Sequence, residues 1–239
     1  MKSEEYDLKE DGFIFLRGFV DKKDLDLIQS YASEILDYLC LEEGSDFLAL
    51  PLNQKMAHLE KKSRKDFFTF SKELSYTPKV HSIANRVMSY LDTDKIIGSK
   101  THYVDSIVFF NKTDISRLQY DWNSENSYYP NAPEVLTIWF PWLHAGNNEN
   151  GTMIIAKGSN KNTYTPKTIQ KKEAVTQMKV PEEELAEFAL VDCNLSLGDL
   201  GVFSSKVVHQ SGLNKTKHPR VTMVIRLTNL VGKLDSGWK

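Results

Sequence analysis

The sequence predicts a mainly β chain with flanking α-helix, and three observations predict it. From Lys95 onward the chain breaks into short runs rich in β-branched and aromatic residues, punctuated by Gly, Asn, Asp and Pro. That is the pattern of strands joined by turns in a sandwich, barrel or jelly roll. Before Lys95 the apolar residues recur mostly at helical spacing. No repeat, low-complexity tract or linker divides the 239 residues, a length that suits one large domain at ~100–200 residues per domain. The expected organisation is a single domain, 1–239, with a helical support region over 1–94 and a β core over 95–239.

The front opens with Gly12–Val20, which reads as a short strand between glycines. Asp24–Leu41 places Leu25, Ile28, Ala32, Ile35, Leu36 and Leu39 on one helical face, with Asp21 or Asp24 suited to cap it. Lys55–Lys72 interleaves basic residues with Phe67, Phe68 and Phe70, which invites a nucleic-acid reading. Glu60, Asp66 and Glu73 break the positive field, so an amphipathic helix with a solvated charged face is the better reading. Pro78–Leu91 carries Val80, Ile83, Ala84, Val87, Met88 and Leu91 as a helical stripe, with Thr77 at the N-cap and Pro78 at the first helical position.

In the back half, Ile96–Ile97, Tyr103–Phe110, Val135–Leu143, Thr152–Ile155, Phe188–Val191, Gly201–Phe203 and Val221–Leu230 read as strands. One helical interruption, a lid or crossover, is expected between Thr168 and Glu187.

Composition excludes several classes. Lys plus Arg is 30 and Asp plus Glu is 32, a net charge of −2, which argues against general nucleic-acid binding. No apolar run approaches the ~20 residues that span a bilayer, so no membrane association is expected. The N-terminus lacks a basic stretch followed by an apolar one, and a cytoplasmic location is expected. Cys40 and Cys193 are far apart and outside any CxxC spacing, which suits buried free thiols. No phosphate-cradling Gly-rich loop or nucleophile elbow is present.

Three segments carry the chemistry: Leu118-Gln119-Tyr120-Asp121-Trp122, Leu197–Phe203 around Gly198-Asp199, and His209–Arg220. Non-haem Fe(II) oxygenases hold iron with two His and one carboxylate on one face, leaving the other face open. Two of those ligands usually sit two residues apart on a strand edge, where period-2 geometry points both the same way. Gln119 and Asp121 have that spacing, His209 would supply a distal imidazole, and Arg220 can pair bidentately with a carboxylate.

His209-x-Ser211-Gly212-x-Asn214-Lys215-Thr216-x-x-x-Arg220 resembles the distal motif of the phytanoyl-CoA dioxygenase family. Asn111-Lys112, Asp121-Trp122, Trp139, Glu149-Asn150-Gly151, Lys157-Gly158-Ser159 and Gly198-Asp199 follow in that family's order. The similarity covers about Tyr103 to Leu227, and Gly12–Val20 with the first helix resembles the family's N-terminal region. The resemblance implies a double-stranded β-helix (jelly roll, cupin-like) core with an N-terminal helical layer. It implies Fe(II), 2-oxoglutarate as co-substrate and O2, used to hydroxylate a small molecule. Carried over, Asp121 and His209 match metal ligands, and Arg220 matches the residue that pairs with the distal carboxylate of 2-oxoglutarate. Ser211 matches a hydroxyl near that carboxylate, Trp139 would wall the co-substrate pocket, and Lys112 or Tyr103 would reach it.

The chain departs from the pattern at one position. The family has His-x-Asp at the proximal pair, and here it is Gln119-Tyr120-Asp121. Three readings follow. Gln119 ligates through its amide oxygen, a weaker donor than imidazole; or water or another side chain, with His102 and His144 nearest, completes the set. In the third, the chain is a catalytically silent jelly-roll binding protein. The aromatic loop Trp122, Tyr128, Tyr129, Pro130 would line an entrance or pack on the core. Neither a particular metabolite nor an oligomeric state is selected by the sequence.

Overall fold

The computed structural model describes residues 3–111, 119–129, 132, 134–170, 176–216 and 219–231. In chain order the strands are β1 (Ser3–Glu5), β2 (Phe13–Arg17), β3 (Thr101–Asn111), β4 (Leu136–Pro141), β5 (Met153–Ala156) and β6 (Lys167–Gln170). They continue as β7 (Thr176–Lys179), β8 (Leu190–Asp192), β9 (Leu200–Ser204), β10 (His209–Ser211) and β11 (Arg220–Asn229). The helices are α1 (Lys22–Leu39), α2 (Gly44–Leu48), α3 (Leu52–Lys62), α4 (Arg64–Ser75), α5 (Pro78–Leu91) and α6 (Thr93–Ile97).

The strands form a six-stranded antiparallel sheet in the order β1-β2-β9-β4-β11-β3, a second antiparallel sheet β10-β5-β8, and the hairpin β6-β7. Alternation along each strand of the large sheet divides its side chains between two cores. Ile14, Leu16, Ile138, Phe140, Val202, Met223 and Ile225 pack with the helices. Phe13, Phe15, Trp139, Phe203 and Val224 pack with Ile155, Cys193 and Leu195 of the small-sheet side. β4 pairs with β11 so that Trp139 lies opposite Val224 and Phe140 opposite Met223, and a one-residue slip would exchange the two faces. Gly201 lies opposite both Phe15 and Trp139. A Cβ there would stand 2.7 Å from the Phe203 ring, so only glycine lets these rings close over the strand.

The helical layer follows from its stripes. Leu25, Ile28, Ala32 and Leu36 of α1 and Val80, Ile83, Ala84 and Val87 of α5 are buried on the sheet. Asp24, 1% exposed, bolts these two helices together. Its carboxylate receives Lys79 Nζ at 2.9 Å and Arg86 Nη1 at 2.9 Å. Burial alone would raise the Asp24 pKa, but the two cations outweigh it and hold it below the ordinary carboxylate range.

Three sequence expectations are corrected. The basic Lys55–Lys72 stretch is two helices, because Ser63 turns extended and its Oγ accepts the Asp66 amide at 3.2 Å as an N-cap. Ile96 and Ile97 belong to α6: Asp92 ends α5 in the left-handed region at φ 49°, and the Asp94 carboxylate accepts the Thr101 amide at 2.7 Å. The segment expected as a helix between Thr168 and Glu187 contains the hairpin β6-β7 and a short 3-10 turn, Glu182–Leu185. Both cysteines are free and buried. Among the described residues no helix is long and apolar enough to cross a membrane.

Replacing Asp24 by Ala leaves two cations facing a buried gap and is expected to lower the unfolding free energy at pH 7 by roughly 3 kcal/mol. The wild-type advantage is full above the unfolded carboxylate pKa and fades as pH falls through the lowered folded value. Urea unfolding of both proteins at neutral and acid pH measures it.

Candidate active site

β11 builds one wall. Val221, Met223, Ile225 and Leu227 face the helices, so Arg220, Thr222, Val224, Arg226 and Thr228 lie on the other face, toward the small sheet. Arg220 is 4% exposed. Its Nη1 donates to Thr222 Oγ1 at 3.2 Å, and its guanidinium lies 5.5 Å from the Trp139 ring centre. Its Nε is buried without a partner. Burial pushes its pKa down to about 10, opposed by the neighbouring Cys193. A guanidinium in this condition can receive an anion: it has five donors in a fixed fork, it is desolvated, and among the described residues its Nε has no hydrogen-bond partner.

The opposite wall is the edge of the small sheet. The Asn123 amide donates to the His209 carbonyl and the His209 amide to the Asn123 carbonyl, both at 2.9 Å, and the Ser211 amide reaches the Tyr120 carbonyl at 2.9 Å. Segment 119–123 thereby extends the sheet beside β10, bringing the strand of Gln119 and Asp121 next to that of His209. The His209 Nδ1 lies 3.2 Å from the Val207 carbonyl. A carbonyl only accepts, so Nδ1 carries the proton and Nε2 presents a lone pair. Burial, with Arg226, lowers the imidazole pKa against the opposing pull of Glu125, which favours the neutral form.

The other flank of segment 119–123 is held by β7. Gln177, 1% exposed, donates from Nε2 to the Gln119 carbonyl at 3.2 Å and accepts the Asp121 amide on Oε1 at 3.2 Å. The Val180 amide bonds the Trp122 carbonyl at 2.8 Å, and Met178 donates its amide to the Tyr128 hydroxyl at 3.0 Å. The Asp121 carboxylate stands a loose 4.0 Å from Lys179 Nζ.

Gln119, Asp121 and His209 are thus on paired strands, and Arg220 and Trp139 are together on the large sheet. Ser211 is placed with the first group: its Oγ accepts the Tyr120 amide at 3.2 Å. Lys112 and the side chain of Tyr103 lie outside the described residues, as does Pro130. Trp122 packs with Ala156, Val180, Leu185 and Val208, so it supports the small sheet from outside. The motif glycines are close-approach positions. A Cβ on Gly151, at φ +78°, would stand 2.5 Å from the Asn214 amide nitrogen, and one on Gly212 would stand 2.5 Å from the Thr152 carbonyl.

Sequence reasoning missed Gln177, Glu125 and Arg226. Arg226 Nε and Nη2 grip the two Glu125 oxygens at 3.0 and 3.2 Å. Burial works to raise the Glu125 pKa, and Arg226 outweighs it, with His209 helping, so the carboxylate stays below its ordinary range. The phenols of Tyr120 and Tyr128 belong to the same neighbourhood, each pushed up first by burial. The available signal was parity: Arg226 lies six residues after Arg220, hence on the same strand face.

The family model described as phytanoyl-CoA dioxygenase matches residues 8–222. The chain belongs to the phytanoyl-CoA dioxygenase family. Its fold is similar to solved structures at low sequence identity. The epimerase SnoN, crystallised with Fe3+, alpha ketoglutarate and nogalamycin RO, is 16% identical with a TM-score of 0.59 over 93% of this chain and 80% of that one. AviO1 from Streptomyces viridochromogenes Tue57 is 13% identical with a TM-score of 0.55 over 93% and 92%. EctD from S. alaskensis, with 2-oxoglutarate and 5-hydroxyectoine, is 17% identical with a TM-score of 0.58 over 93% and 74%. No curated protein sequence matches. These likenesses concern the fold alone.

Gln177→Ala is expected to loosen segment 119–123 and lower thermal stability by a few degrees, the loss of two buried hydrogen bonds at about 1 kcal/mol each. Gln177→Glu keeps the acceptor for Asp121 but loses the donor to Gln119. Hydrogen exchange should therefore report protection at the Asp121 amide retained better in the Glu variant than in Ala.

Proposed function

We propose that this member of the phytanoyl-CoA dioxygenase family is an Fe(II)- and 2-oxoglutarate-dependent oxygenase that hydroxylates a small metabolite in the cytoplasm. The observation that carries the reading is Arg220, a buried guanidinium with an unused Nε, resting on Trp139 at the family's co-substrate position. In this reading the two facing sheets are a double-stranded β-helix, region 1–94 supports it, and residues 1–239 are one domain.

The donor set suits iron. The Asp121 carboxylate, the His209 Nε2 lone pair and the Gln119 amide oxygen supply hard oxygen and imidazole donors, with no thiolate among them. Among the described residues no three His, Cys, Asp or Glu side chains cluster as a metal site; in this reading the neutral Gln119, or a water, completes the set with Asp121 and His209. When bound, Fe(II) with 2-oxoglutarate and O2 supplies the oxidising chemistry, ending in succinate, CO2 and a hydroxylated product.

The chain's own residues do the rest. Arg220 receives the distal carboxylate of 2-oxoglutarate, with Thr222 steering its fork and Trp139 as the flat wall. Val207 fixes the His209 tautomer. Gln177 holds the backbone between Gln119 and Asp121, so both side chains start from a fixed strand. Lys179 Nζ, 4.0 Å from the Asp121 carboxylate, engages that carboxylate only loosely within the chain. Ser211 ties β10 to Tyr120 through its hydroxyl, and from the same strand face borders the co-substrate. The family resemblance offers Lys112 or Tyr103 as a further co-substrate contact; Lys112 and the Tyr103 side chain lie outside the described residues.

Gln119 favours a second reading, a silent binding protein that keeps the anion site without the iron chemistry. One experiment separates the two. With Fe(II), ascorbate and O2, the purified protein should convert 2-oxoglutarate to succinate, and Gln119→His should bind Fe(II) more tightly. Succinate from the Gln119→His variant and none from the parent would establish the silent reading. Arg220→Ala should weaken 2-oxoglutarate binding by about a hundredfold, the loss of a charge-assisted pair worth ~3 kcal/mol. Calorimetric titration measures it, and unchanged affinity would overturn the co-substrate assignment.

A further inference from the structure

Three strand ends converge beside the site. Segment 119–123 runs on into Ser124–Ser127, β5 into the turn Ser159–Lys161, and β10 is entered through Lys206. Between them opens a cleft of about 390 Å³ lined by Ser124, Asn126, Asn162, Thr163, Tyr164 and Lys206, among others. Its walls are fixed. The Asn126 amide donates to the Ser205 carbonyl at 2.9 Å, and the Val208 amide donates to Ser159 Oγ at 2.8 Å.

The lining has one chemical character. Every lining residue except Pro166 carries a hydrogen-bonding side chain, and no carboxylate lines the cleft among the described residues. Asn126 Oδ1 accepts the Ser124 hydroxyl at 2.7 Å and Asn160 Nδ2 donates to the Lys9 carbonyl at 2.9 Å, which leaves the Asn126 amide donors and the buried Asn160 Oδ1 acceptor for a hydroxyl group. The Tyr164 hydroxyl is buried, with Asn162 and Ser159 beside it. Two cations border the cleft. Lys161 is paired with Glu10 at 2.6 Å, whereas Lys206 is exposed and has no ion partner among the described residues. Lys206 precedes His209 by three residues, and Ser124 follows Asp121 by three, so the near wall lies on the order of 10 Å along the chain from either residue.

We propose that this cleft anchors the substrate, and that the substrate is a polyhydroxylated molecule bearing an anionic group, a sugar phosphate or a sugar acid. The hydroxyls meet the asparagine, serine and tyrosine groups, the anion meets Lys206, and the free end extends toward Asp121 and His209. This names the substrate class of the oxygenase proposed above and rests on that reading for the role, though the binding itself needs neither iron nor 2-oxoglutarate.

The test is amide-resolved NMR titration of the full chain, free of metal and 2-oxoglutarate. The probes are glucosyl phosphate, galactosyl phosphate, mannosyl phosphate, glucuronate, the parent sugars and inorganic phosphate. Resonances of residues 124–127, 160–165 and 206 should move with at least one anionic sugar, and its neutral parent should bind about tenfold more weakly, the loss of one charged hydrogen bond. Lys206→Ala should erase that difference, with an unchanged unfolding midpoint showing an intact fold. Absence of binding by every anionic sugar overturns the proposal. So does movement confined to the surroundings of Arg220, or inorganic phosphate binding as tightly as the sugar phosphates, which would mark a bare anion patch. Because succinate formation is assayed separately, failure of the oxygenase reading and failure of this one are told apart.

Discussion

The alternation of β11 is the constraint on which the rest of the structure depends. This strand lies between β4 and β3 near one edge of the large sheet, and its two faces have opposite demands. One face, Val221, Met223, Ile225 and Leu227, must be covered by apolar surface; the other carries Arg220 and Arg226. Burying either guanidinium in an apolar setting is expensive unless it is partnered. Arg226 is partnered within the chain, by both oxygens of Glu125. Among the described residues Arg220 has only a hydroxyl and an aromatic face. The same strand thus holds a finished ion pair and an unfinished one, and the proposed function assigns an outside carboxylate to the second.

The helical layer follows from that strand's other face. Without α1, α4 and α5 the large sheet would expose a continuous apolar surface of the kind that soluble chains do not present. The Asp24 network, with Lys79 and Arg86, sets how the two long helices meet. A fixed helical layer keeps the register of β4 on β11, and that register places Trp139 beneath the Arg220 guanidinium.

What the sequence made legible tracks burial. Strands with one or two apolar faces declared themselves by composition, and α5 was readable to its ends because Pro78 can only begin a helix. The hairpin β6-β7 was not readable, since Lys167, Thr168 and Gln170 are exposed and leave no apolar alternation. Gln177 was hidden for the same reason: a polar residue in a polar segment carries no sign that it is buried. The distal motif was easier to read because His209, Ser211 and Arg220 lie close together in sequence. The pairing of segment 119–123 with β10 joins residues nearly ninety apart, Asn123 with His209, and only the backbone hydrogen bonds disclose it.

Gln119 then takes on a physical meaning that its identity alone lacks. In a site whose strand is ordered by the metal, losing an imidazole would release the strand along with the ligand. Here segment 119–123 is held on both flanks by the protein itself: Gln177 and Val180 on one side, His209 and Ser211 on the other. The shape of the edge is independent of what residue 119 donates. In the proposed reading, a neutral amide in place of imidazole changes the strength of one donor without releasing the strand that carries Asp121. The hydrogen bonds that hold segment 119–123 are made by its backbone, so they do not depend on the side chain at position 119.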